Sequence, residues 1–183
     1  MKMSSDYDSD IRVYDGETQA LKTEQIVEPT PSPTPIATES PTPTPLPRRG
    51  TAEAIPESVR ASMQGKSMKS NASITFDDLS YLTIPHYDFN YNVTTGHLVV
   101  AKSVAEEVLN IFAELYDVKY HIERMELIDK YDADDYTSIE YNNTSAFNYR
   151  VVSTGTGKLS NHAFGRAIDI NPQQNPYVYA NGT

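Results

Sequence analysis

An α+β fold is predicted for this chain: a small antiparallel sheet with one main amphipathic helix packed on it, preceded by a disordered Pro/Thr-rich tail. Three observations predict it. Strand-forming residues crowd the stretch from about residue 71 to 100, an apolar stripe at helical spacing follows, and eight of the 12 prolines fall within residues 29–47. Strands, then helix, then strands is the order of an α+β domain rather than of repeated βαβ units.

The tail comes first. "PTPSPTPIATESPTPTPLP" fixes φ at every second residue over 29–35 and 41–47 and withholds backbone donors, which favours extended polyproline geometry. Residues 1–55 are therefore assigned to a disordered acidic tail or linker and 56–183 to the working domain. A spacer between an anchor and a domain and a tail without function both remain open. With 38% hydrophobic residues over 183 positions, one domain is the expected count.

"SITFDDLSYLTIPHYDFNYNV" and "TTGHLVV" read as antiparallel strands, with Thr94-Thr95-Gly96 as a turn. In "VAKSVAEEVLNIFAELYDV", Val104, Val108, Ile111, Phe112 and Leu115 repeat at helical spacing, with Ser103 as N-cap and Glu106 closing a capping box. Residues 119–129 read as a strand with mixed faces. The run from 129 to 149 reads as a long polar loop, and "YRVV" and "AIDI" as short strands.

Charge narrows the partners. Fifteen Lys and Arg against 25 Asp and Glu give a net charge of −10, which disfavours nucleic acid and anionic membranes because both repel an acidic surface. No cysteine is present, so any zinc must be held by imidazole and carboxylate. Neither a membrane span nor a signal peptide is visible, and a monomer is expected.

The chemistry-bearing stretch is "KLSNHAFGRAIDINP". His162 and Asp169 lie seven apart, which in one unbroken strand would aim them at opposite faces and in one helix would stack them two turns apart; Gly165 permits a reversal that would fold His162 back beside Asp169. The pair could then meet one cation, or it could be a surface histidine hydrogen-bonded to a carboxylate; spacing alone leaves both open. "SNHAFGRAIDI" resembles the Ser-x-His-(x)6-Asp signature of the D-alanyl-D-alanine carboxypeptidase family of zinc peptidases, the VanY-like group that cuts bacterial cell-wall peptides. Ser160, His162, Gly165, Ala167, Asp169 and the following "INP" stand where that motif has them, and "NNTSAFNYR" is similar to the family's upstream segment ending in arginine.

That resemblance, taken over residues 75–180, implies a hedgehog/DD-peptidase-like fold with a Zn2+ site at the sheet. His162 and Asp169 would be two zinc ligands. Arg150 would be a cation beside the substrate carboxylate or developing oxyanion, and Ser160 would stand close behind on the substrate side. For Arg150 a plain salt bridge with Asp132, Asp134 or Asp135 is the competing assignment. His86, His97 and His121 lack motif context and are left out. The implied substrate is a peptidoglycan stem peptide, cut at a D-Ala-D-Ala or L-Ala-D-Glu type bond, and the implied location is the extracellular side of a bacterial envelope.

The pattern departs from the family after Asp169. "INPQQNPYVYANGT" contains no His, Asp or Glu, whereas the family carries a later Asp/Glu-x-x-His that supplies the general base and the third ligand. The expectation is thus an incomplete peptidase domain, inactive as it stands. The alternative is a non-catalytic module that binds cell-wall peptide or zinc.

Overall fold

The computed structural model describes residues 48–152 and 155–178. Of the tail expected over residues 1–55, residues 1–47 lie outside them. Within the stretch assigned to the tail, the described fold already has its edge strand, β1 (Thr51–Glu53), which pairs antiparallel with β2 (Leu79–Tyr87). Between them lies α1 (Glu57–Met63), and β2 pairs antiparallel with β3 (Val93–Ala101) over nine rungs, Leu79 opposite Ala101 and Tyr87 opposite Val93. The three-stranded sheet has the order β1-β2-β3. With α2 (Ala105–Asp117) packed on it, this is the α+β arrangement of small antiparallel sheet and main helix that the sequence predicts.

Alternation along β2 and β3 builds a core on each side of the sheet. Leu82, Ile84, Leu98 and Val100 face Ala105, Val108, Leu109 and Phe112 of α2. Leu79 and Val99 face the other way, onto Ile55, Met63, Met68, Phe147, Tyr149 and Ala163. Placing apolar residues on both faces explains why these strands are rich in Leu, Ile and Val.

Several local expectations are corrected. The hairpin turn is not at Thr94-Thr95-Gly96, which lies inside β3, but at residues 88–92. There the Asp88 carboxylate accepts from the Asn90 amide at 2.8 Å, the Asn92 amide at 2.9 Å and the Asn92 side chain at 3.2 Å. Gly96 has a packing role instead: a Cβ there would stand 2.3 Å from the Met125 Cβ. At the start of α2 the chain first makes a 3-10 turn (Lys102–Val104), and Val104, not Ser103, sits at the N-cap without a side-chain cap bond. Glu106 is unavailable for a capping box because its carboxylate is bound by Arg49 at 2.7 Å. Ile111 falls beside the buried stripe, 44% exposed, since the helix buries 105, 108, 109, 112 and 113.

Residues 119–129 form no continuous strand. Their buried apolar positions are Ile122, Met125 and Ile128, spaced by three, so no two-residue alternation can be satisfied. Only β4 (Arg124–Met125) pairs, parallel to β5 (Asn143–Thr144). The expected polar loop contains a 3-10 turn (Ile128–Tyr131) and α3 (Asp135–Glu140), whose N-cap Asp134 accepts from the Thr137 amide at 2.8 Å and hydroxyl at 2.7 Å. These bonds hold the Asp134 carboxyl below its ordinary range. "YRVV" and "AIDI" are single bridges, Val151 to Leu159 and Ser145 to Asp169, rather than strands.

His86 lies on the α2 side of the sheet at 4% exposure, with Nδ1 lacking a partner. Burial pushes its pKa below the ordinary value, and the same cause lowers that of His97. The unfolded chain therefore binds the proton first, so stability is full above about pH 6.5 and declines as pH falls from there toward the depressed folded values. The urea midpoint is expected to be lower at pH 5.5 than at 7.5, with the difference reduced in His86→Phe. An equal difference in parent and variant would show that His86 does not contribute.

Candidate functional site

The site is assembled by an irregular stretch lying against the edge of β3 that β2 leaves free. The Phe147 amide donates to the Val99 carbonyl at 3.1 Å, and the Ala101 amide donates to the Gly165 carbonyl at 2.9 Å. Ala146 is buried in the α2-side core and Phe147 in the opposite one, so successive side chains seat this stretch on both faces as a further strand would be seated.

From this rail the two motif residues are positioned. Ser145 and Asp169 exchange both backbone hydrogen bonds, at 3.1 and 2.9 Å. The Asn148 amide takes the His162 carbonyl at 3.1 Å, and the Ala146 carbonyl lies 2.6 Å from His162 Nδ1. A carbonyl only accepts, so Nδ1 carries a proton, and in the neutral ring the Nε2 lone pair is left free. Nε2 then stands 3.3 Å from Asp169 Oδ2, with the imidazole 13% and the carboxylate 50% exposed. The reversal expected at Gly165 is present: its φ is +63°, closing a 3-10 turn (Asn161–Phe164). Ser160 caps that turn, its hydroxyl accepting from the His162 amide at 3.3 Å.

Beyond Asp169 the chain is clamped by Asn171, buried to 2% and at φ +42°. Its side chain donates to the His121 carbonyl at 2.8 Å and accepts from the Glu123 amide at 3.1 Å, while its own amide donates to Thr144 Oγ1 at 3.1 Å. Sequence reasoning missed Asn171, Thr144, Ser145 and Ala146 as site residues. The "INP" following Asp169 carried a signal for the first; backbone groups leave none.

Arg150 adjoins this turn through its carbonyl, which accepts from the Ser160 amide at 3.0 Å. Its guanidinium forms an ion pair with Asp135 and reaches the Val151 carbonyl at 3.3 Å. The competing assignment for Arg150, an anchoring salt bridge, thus has its partner. The other histidines lie elsewhere: His97 stacks on Tyr81 at 5.1 Å and His121 meets Tyr91 edge-on at 4.1 Å.

A tetrahedral zinc holding one imidazole and one carboxylate at about 2.0–2.2 Å sets those two donors about 3.3 Å apart. The His162 and Asp169 donors have that separation, the imidazole is in the tautomer a metal needs, and its other nitrogen is oriented by a carbonyl. In the doubly protonated ring the same distance is that of an Nε2–H donated to the carboxylate. Among the described residues no cluster of three or more His, Cys, Asp or Glu side chains could hold a metal.

Residues 154–183 match the family model of D-alanyl-D-alanine carboxypeptidase. The match to this carboxypeptidase model is a short region; it includes Ser160, His162 and Asp169 and leaves Arg150 outside. The resemblance read from the motif therefore holds over that stretch rather than over residues 75–180. No curated protein and no solved structure gives a significant match to the chain.

Gly165 links motif to sheet. A Cβ there would come within 2.5 Å of the Ala101 nitrogen and 2.9 Å of the Val100 carbonyl carbon, all backbone, in addition to the positive φ. Gly155→Ala meets a similar φ of +75° with nothing within 4 Å. Gly165→Ala is expected to cost roughly 3 kcal/mol and Gly155→Ala about 1 kcal/mol in urea unfolding. Equal losses would show that the approach of the turn to β3 is not a tight contact.

Proposed function

We propose that this chain carries part of a zinc peptidase site acting on peptidoglycan stem peptides, at D-Ala-D-Ala or L-Ala-D-Glu type bonds. The observation carrying the reading is the convergence of His162 Nε2 and Asp169 Oδ2 inside the stretch that matches a carboxypeptidase model. His162 and Asp169 would hold the ion. Bound zinc would supply Lewis acidity toward a peptide carbonyl and acidify a water. The chain's own residues do the rest: Ala146 fixes the imidazole tautomer, Ser160 holds the turn on the substrate side, and Arg150 offers its guanidinium to a substrate carboxylate or oxyanion. For that, Arg150 must share its charge with Asp135.

The described fold, which begins with its edge strand Thr51–Glu53, would be the peptidase part and the residues before it a linker to the envelope, with the site facing the extracellular side and the chain monomeric. No helix among the described residues is long and apolar enough to cross a membrane. A second reading has one observation in its favour: among the described residues no third His, Cys, Asp or Glu joins the pair in a group that could hold a metal. Under it, the site binds zinc or cell-wall peptide without turnover.

Two protein ligands leave an ion mostly hydrated, so these 183 residues are expected to bind zinc weakly and to cleave neither peptide type. His162→Ala and Asp169→Ala should each abolish the residual binding, and Arg150→Ala should leave it. Zinc titration by calorimetry and a peptide cleavage assay check both statements. Unchanged zinc binding in His162→Ala would remove the metal assignment; turnover that depends on His162 would show that another residue completes the site.

A further inference from the structure

A cavity lies away from the motif, between β4, the turn Ile128–Tyr131 and α3. It has a volume of about 590 Å3 and is lined by Arg124, Lys130, Tyr131, Asp132, Asp134, Thr137 and Tyr141. Its charges are unequally engaged. Lys130 is bound to Glu126, Lys66 holds Asp132 Oδ1 at 2.6 Å, and Thr137 occupies Asp134 Oδ2. The Arg124 guanidinium has no hydrogen bond and no ion pair among the described residues; it rests over the Tyr141 ring at 5.7 Å. Tyr141 is in turn packed against Tyr131, ring centres 5.4 Å apart. Tyr131 is fixed by its hydroxyl, which donates to Glu126 at 2.6 Å.

A guanidinium laid on an aromatic face loses little freedom on binding and presents a planar fork suited to a carboxylate. Across the same cavity Asp132 Oδ2 and Asp134 Oδ1 have no hydrogen-bond partner among the described residues. A dianion such as phosphate would be repelled by that acidic wall, whereas a ligand with a carboxylate at one end and an ammonium at the other satisfies both walls. We propose that this cavity binds a short zwitterionic peptide, its carboxylate on Arg124, its ammonium toward Asp132 and Asp134, and its body against Tyr131 and Tyr141. The site does not depend on the metal reading, because none of its residues belongs to the motif.

The test uses the full chain and alanyl-alanine as probe, followed by NMR shifts of the Arg124 Nε–H and the Tyr131 and Tyr141 rings. Saturable shifts are expected with alanyl-alanine, and affinity weaker by about tenfold or more with the C-terminal amide, with the N-acetylated dipeptide and in Arg124→Gln. Arg124 is exposed, so that variant should keep the parent's spectrum elsewhere. Absence of saturable shifts, equal binding of the amide, equal binding by Arg124→Gln, or tighter binding of inorganic phosphate than of the dipeptide would each overturn the proposal.

Discussion

The geometry of the site depends on the peptide groups of four consecutive residues, 145–148. Ser145 exchanges two backbone hydrogen bonds with Asp169, Ala146 offers its carbonyl to the His162 ring, Phe147 donates to β3, and Asn148 donates to the His162 carbonyl. Each of these groups is a backbone donor or acceptor that burial obliges to find a partner. Satisfying them together fixes both motif side chains relative to one sheet edge. Remove the rail and His162 and Asp169 are seven residues apart on a turn with nothing to aim them.

What keeps so irregular a rail in place is polar burial. Asn142, Asn143, Thr144 and Asn148 are each 3% exposed or less, and Asn143 alone accepts from the Glu126 amide and donates to the Glu126 carbonyl and Ser138. A regular strand would satisfy its backbone by a ladder. Here side-chain amides stand in for missing strand partners, which a purely apolar core could not do. Apolar seating adds to this, since Ala146 and Phe147 enter opposite cores.

The parts of this architecture that follow a period were legible in the sequence. The β2–β3 hairpin shows in its β-branched and aromatic runs and α2 in its stripe, while Gly165 shows as a place where the chain can reverse. The candidate pair was legible as residues, and its juxtaposition as one outcome among several, because Gly165 can take the positive φ that lets the chain reverse. Ser103 and Glu106 misled because the chain enters α2 through a 3-10 turn that puts Val104 at the N-cap, one residue too late for that pair, while the Glu106 carboxylate is bound by Arg49, more than fifty residues away in sequence. The stretch 119–149 was read as strand and loop because its order comes from long-range partners such as Tyr87, Asn171 and Gln173. Only α3 left a local sign there, Asp134 three residues before Thr137.

The Ala146 carbonyl, 2.6 Å from Nδ1, sets the neutral His162 ring in its Nδ1–H tautomer and leaves Nε2 free beside Asp169, where the proposed metal would bind. Long-range 1H–15N correlation spectra of the imidazole, recorded at a pH where the ring is neutral and then with added zinc, test it directly. A protonated Nδ1 and an unprotonated Nε2 are expected, with the Nε2 resonance moving on zinc addition and remaining fixed in Asp169→Ala. A protonated Nε2 in the neutral ring, or an Nε2 resonance indifferent to zinc, would contradict it.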